Sequence, residues 1–150
     1  MIRVQREDFD PGREIEDLAR DNAAVGGIAS FVGVVRAGAG PDAITSMTLE
    51  HYPGMTERAL EAIEAEARRR WPLAGCLIVH RYGRLVPGER IVLVVTAAAH
   101  RQAAFAACEF LVDWLKTKAP FWKLEETSQG SRWVEAQTSD DQAAKRWVAE

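Results

Sequence analysis

A chain of 150 residues is the size of one domain with one sizeable core, and 47% apolar and 27% charged residues with 11 Gly and 6 Pro are ordinary globular usage. Disordered, collagen-like and coiled-coil architectures are thereby excluded. Nineteen Lys and Arg against 22 Asp and Glu leave a formal charge of -3, so no global positive field draws the chain to nucleic acid or acidic lipid. An anion site has to be local.

The amino terminus carries charges at Arg3, Arg6, Glu7 and Asp8 where a secretion signal needs an apolar stretch. The longest apolar run, residues 91–99, is half a membrane span, so a soluble, cytoplasmic protein is expected. Asp10-Pro11 then reads as a cap and first-turn proline opening a short helix to about Asn22 that covers a sheet edge. Residues 24–36, rich in β-branched and aromatic side chains, form a strand approached closely at Gly26, Gly27 or Gly33. The Gly-rich segment 37–42 breaks it and is expected to be mobile. A second strand follows, with Met47 and Leu49 on one face and Ser46, Thr48 and Glu50 on the other, and it is expected to pair with the strand before it.

Leu60, Ile63, Ala67 and Trp71 recur at helical spacing through residues 55–71, and Pro72 stops that helix. Residues 76–83 and 91–98 predict a hairpin, with Pro87-Gly88 suited to a type II turn between them. Ala104, Cys108, Leu111 and Leu115 mark a helix over 101–118, ended by Pro120. A last hairpin spans 121–137 around Ser128-Gln129-Gly130, and a polar tail begins at Thr138. Antiparallel strand pairs alternating with helices predict a single α+β domain in two layers, not a doubly wound parallel sheet. Cys76 and Cys108 show no CxxC spacing and are expected buried and reduced.

No GxGxxG or P-loop pattern, HExxH or GxSxG elbow occurs, and His51, His80 and His100 are too scattered for a ligand cluster, so no metal is expected. Basic residues instead stand where elements end: Arg36, His100-Arg101, Lys116 and Lys123. Strand alternation puts Lys123, Glu125 and Phe121 on one face and Leu124 and Trp122 on the other, with the tryptophan entering the core. The plain alternatives are a helix-dipole complement at Lys116 and Lys118, an exposed pair at Lys123 and Glu125, a strand-end charge at Arg36 and a cap at His100.

Several segments, in order, resemble one family. They are Ser30-Phe31-Val32-Gly33-Val34-Val35-Arg36, Leu49-Glu50-His51-Tyr52-Pro53-Gly54-Met55-Thr56, His80-Arg81-Tyr82-Gly83-Arg84-Leu85-Val86-Pro87-Gly88, Ala99-His100-Arg101, Leu115-Lys116-Thr117-Lys118-Ala119-Pro120-Phe121-Trp122-Lys123 and Arg132-Trp133-Val134-Glu135-Ala136. Together they resemble the large, catalytic subunit of molybdopterin synthase.

The resemblance implies an α/β hammerhead fold and a sulfurtransferase that converts cyclic pyranopterin monophosphate into molybdopterin; no cofactor is expected. Sulfur would come from the thiocarboxylated carboxy terminus of a small ubiquitin-like subunit. Two large subunits would form a central dimer within a heterotetramer. Carried over by position, substrate contacts fall at Val34, Val35, Arg36, His100, Arg101, Lys116, Lys123, Leu124 and Glu125. Both reactants are anions, so Arg36, Arg101, Lys116 and Lys123 suit charge compensation, with Lys116 central to catalysis and Lys123 its partner. Gln137 stands where many members have an arginine thought to reach the neighbouring protomer, and Arg132, Lys145 and Arg146 are the candidates to replace it. The competing expectations are an adaptor that binds a ubiquitin-like partner without turnover, and a phosphate-ester hydrolase using His100 as base, which lacks a nucleophile.

Overall fold

A computed structural model describes residues 1–134 and 138–148. In chain order the elements are β1 (Ile2–Gln5), α1 (Pro11–Ala19), β2 (Gly27–Val34), a 3-10 turn (Gly40–Asp42), β3 (Ile44–His51), α2 (Met55–Arg70) and β4 (Leu73–Arg81). They continue with β5 (Gly83–Leu85), β6 (Arg90–Ala98), α3 (Arg101–Lys118), β7 (Phe121–Thr127), β8 (Gly130–Val134) and α4 (Thr138–Lys145). The strands form two four-stranded sheets, ordered β1-β4-β6-β2 and β5-β3-β7-β8. No helix among the described residues is long and apolar enough to cross a membrane.

The α+β architecture matches expectation, and the central pair β4 and β6 is antiparallel from Leu73↔Ala98 to His80↔Val92. Both strands read as continuous apolar runs because both of their faces are covered. Leu77, Val79, Leu93 and Val95 face Phe9, Ile15 and Leu18 at and within α1, while Cys76, Ile78 and Val94 meet Leu60, Ile63, Phe110 and Leu111 of α2 and α3. Helix α1 therefore covers a face across β4 and β6, not the sheet edge expected for it. Its start is as read: Asp10 caps it by accepting from the Arg13 N–H at 3.2 Å. Leu60, Ile63 and Phe110, all nearly solvent-free, each contribute on the order of 2 kcal/mol through the apolar area removed from water.

Three other expectations are corrected. Strands β2 and β3 do not pair with each other: β2 joins β6, and β3 joins β5 and β7. The break after Val34 carries the chain from one sheet into the other, a long-range choice that local alternation does not encode. The first element read from the sequence is the helix at Pro11, whereas the amino terminus before it forms β1, which runs parallel to β4. Trp122 does not enter the core but stands 49% exposed, edge-on to Tyr52 and Trp133, because the opposite face of β7 is the one turned inward.

The segment read as a polar tail carries α4, followed by Trp147, which is buried against Trp71 and Phe110 at ring separations of 5.6 Å. Its Nε1–H donates to Asp113 Oδ2 at 2.7 Å. The link between β4 and β6 is longer than a simple hairpin turn, since β5 peels away to pair with β3. Gly88 closes it with φ +93, the left-handed position of a type II turn, and the Glu89 N–H reaches Val86 O at 3.0 Å. The close backbone approach falls at Gly26, where a Cβ would lie 2.0 Å from Ala99 O. Cys76 and Cys108 are buried free thiols, both pushed up by burial, to about 12 and about 11.

Candidate functional site

Lys116 occupies the last turn of α3, and Lys123 lies in β7 opposite Leu49 of β3. Thr96 of β6 anchors the helix by donating from Oγ1 to Ala104 O at 2.6 Å, which places α3 along the first sheet with its carboxy end at the junction of the two sheets. A cavity of about 150 Å³ opens there. Its wall is apolar on the β2, β6 and α3 sides, and its titratable lining is Lys116, Lys123 and His80.

Neither lysine has an ion-pair partner among the described residues, whereas Lys118, two positions on, points its ammonium over the Trp114 ring at 4.6 Å. Helix-end charge is therefore served by Lys118, and Lys116 is left for the cavity. Burial and the neighbouring Lys116 hold Lys123 below the usual lysine range, partly offset by Glu125 and Asp140. His80, at the end of β4, stacks on Phe121 with ring centroids 3.7 Å apart and planes 15° from parallel. Burial pushes its imidazole down to about 4, with Lys116, Lys123 and His51 acting in the same direction. Two ammonium groups beside a neutral ring in a partly dry pocket attract an anion and leave a proton acceptor among the donors.

Of the residues expected at the site, the structure brings Val34, Lys116 and Lys123 to this cavity. Glu125 is buried on the same face of β7 as Lys123, and Leu124 is partly buried on the other face. Val35 is buried against Met47, Leu49 and Leu85, with its N–H and C=O engaged by Glu89 and Gly88 at 2.9 Å, while Arg36 beside it is exposed. His100 and Arg101 lie at the opposite end of α3, about 22 Å from Lys116 along the helix axis. Within one chain they do not reach the cavity. Arg146, a candidate replacement for the family arginine, is held by Glu109 and Asp113 at 2.5 and 2.8 Å, and Gln137 falls outside the described residues.

Sequence reasoning missed His80, Phe121, Phe31 and Gly33 as cavity residues. Phe121 was within reach, since it shares strand parity with Lys123. His80 was not, because its partners come from three other elements.

The MoaE protein family model matches residues 4–118. The chain belongs to that family. The molybdopterin synthase catalytic subunit of Pseudomonas aeruginosa is 56% identical to this MoaE-family chain over 146 residues, covering 97% of each. The molybdopterin biosynthesis MoaE protein structure from Burkholderia ambifaria superposes with a TM-score of 0.85 at 54% identity, over 100% of this chain and 99% of that one. The molybdopterin synthase structure from Staphylococcus aureus gives 0.82 at 28% identity, over 89% of this chain and 96% of the other.

Proposed function

We propose that this chain is the catalytic subunit of a cytoplasmic molybdopterin synthase, taking sulfur from the thiocarboxylated tail of a small ubiquitin-like subunit and delivering it to cyclic pyranopterin monophosphate. The observation that carries the chemistry is the convergence of Lys116 and Lys123, from a helix end and a separate strand, on one cavity with an apolar wall. Two ammonium groups in low dielectric, without an ion-pair partner among the described residues, favour an incoming phosphate or thiocarboxylate and the negative charge that develops as sulfur is transferred. Lys116, at the mouth, acts on the reacting carbonyl or its leaving group, and Lys123, half-buried and already depressed, stabilises charge or moves a proton. Glu125, buried behind Lys123, limits how far that depression goes.

A second copy of the chain reconciles the position of His100 and Arg101 with this chemistry. Strand β2 is a sheet edge, and its Gly27 end abuts Arg101 while its Val34 end lines the cavity. Antiparallel pairing of two β2 edges across a two-fold axis sets one copy's Gly27 end against the other's Val34 end, and so carries Arg101 towards the opposite Lys116. Arg36, exposed next to Val34, then stands at the same rim. On this reading Val34, Arg36, Lys116 and Lys123 of one copy meet the substrate together with His100 and Arg101 of the other, and Val35, Leu124 and Glu125 are assigned as contacts by the family resemblance alone.

Incubation of the purified chain with thiocarboxylated small subunit and cyclic pyranopterin monophosphate tests the whole reading. Dithiolene product is the expected result; a stable complex without product would make the chain an adaptor. Arg101→Ala mixed with Lys116→Ala tests the shared site. Mixed dimers regain up to one intact site each, so partial recovery is expected, and none would confine the site to one copy.

A further inference from the structure

His80 lines the same cavity as both lysines, and nothing in the reaction assigned above uses it. Its Nδ1 lies 2.8 Å from Arg81 O, and a carbonyl only accepts, so the ring hydrogen sits on Nδ1 and Nε2 keeps its lone pair. The hydrogen bond of the His80 ring among the described residues is the one at Nδ1, and Nε2 makes none there. The stack on Phe121 at 3.7 Å fixes the plane of the ring, and Phe121 shares its face of β7 with Lys123. Among the residues that line the cavity, His80 is the one side chain with a basic lone pair while both lysines are protonated.

We propose that His80 is the resident proton acceptor of the Lys116–Lys123 pair, taking a proton through Nε2 once an anion has entered the cavity. The proposal rests on the sulfur-transfer reading for its purpose but on the cavity geometry for its existence. In the step, a lysine N–H bond breaks, its electron pair stays on Nζ, and the proton forms an Nε2–H bond on His80. The imidazolium is compensated by the bound anion and returns the proton when the anionic product leaves. Before the anion arrives, the charged groups facing the ring are Lys116 of α3 and Lys123 of β7, with His51 of β3 as a further titratable neighbour. Burial first, and then these neighbours, keep the resting ring neutral, at about 4, and an added negative charge offsets the part that is due to the lysines. Basicity is thus raised by the same event that brings the substrate.

The direct test follows the His80 imidazole by NMR across pH in the full-length chain, alone and saturated with inorganic pyrophosphate. The expected midpoint is well below 6 in the free chain, higher by about one pH unit or more with pyrophosphate, and higher also in Lys116→Met and Lys123→Met. A midpoint near 6.5 in the free chain, or one that ignores both pyrophosphate and the lysines, overturns the proposal. In the sulfur-transfer assay, His80→Phe preserves the stack on Phe121 but removes the lone pair. It is expected to lower kcat by about tenfold or more, with KM little changed, and to abolish the low-pH limb of the kcat profile. An unchanged kcat and limb in a folded His80→Phe also overturns it. A wild-type chain that fails to transfer sulfur would sink the proposed function while leaving the NMR result to judge His80 separately.

Discussion

In the first sheet, β4 and β6 bury both faces, and Ile78, Val79, Leu93, Val94 and Val95 are all solvent-free. In the second sheet, β7 turns Lys123 and Glu125 inward and leaves Trp122 outside, with Trp133 of β8 55% exposed beside it. The same pleated geometry therefore serves a saturated core in one sheet and an inverted pattern in the other. Inverting that pattern costs burial, since two large aromatic surfaces stay in water, and it delivers the Lys123 ammonium to a cavity. Stability should accordingly be concentrated in the first sheet and chemistry at the junction with the second.

Substitutions on the two sides should separate cleanly. Lys116→Ala is expected to reduce sulfur transfer by about 100-fold or more while the melting temperature stays put, because the side chain is exposed and has no ion-pair partner among the described residues. Near-normal turnover would remove Lys116 from the catalytic role. Phe110→Ala empties the space shared with Trp71, Trp114 and Trp147 and should cost about 3–5 kcal/mol in denaturant unfolding, with residual activity following the folded fraction.

His80 gives the comparison a pH axis. Its folded value of about 4 lies below the ordinary 6.5, so above 6.5 the ring is neutral in both states and contributes no pH dependence. Between 6.5 and 4 the unfolded chain takes up a proton that the folded chain refuses. Stability should therefore fall as pH falls through that window, by up to about 3 kcal/mol, and level off below it. Thermal melts of wild type and His80→Phe at several pH values check the sign; a wild-type curve that rises towards acid would contradict it.

The smallest effect is expected on the outer face. Trp122→Ala should cost roughly 1 kcal/mol or less, the worth of its edge contacts with Tyr52 and Trp133, as read by denaturant midpoint. A larger loss would mean that the exposed aromatics are covered in the assembled protein.

Helix positions were legible because their signals are local: the Asp10 cap, the stripe through α2, and the Pro120 stop after α3 each act within a few residues. Lys116 and Lys123 were legible as candidates for a similar reason, standing at an element end and on a defined strand parity. What escaped was pairing. The chain carries no local mark that β2 belongs with β6 and β3 with β7, that Ile2–Gln5 adds a parallel strand, or that Trp147 returns to α3.

By itself, the sequence determined the α+β composition, the extents of the long helices, the turn at Pro87-Gly88 and the family. It could do so because propensity, capping and alternation are properties of neighbouring residues. The tertiary structure alone decided that two sheets meet at the end of α3, that His80 joins the lysines there, and that Arg101 stands about 22 Å away from them along the helix. Those outcomes depend on which faces can be buried together over separations of tens of residues, and burial is a property of the whole packed chain.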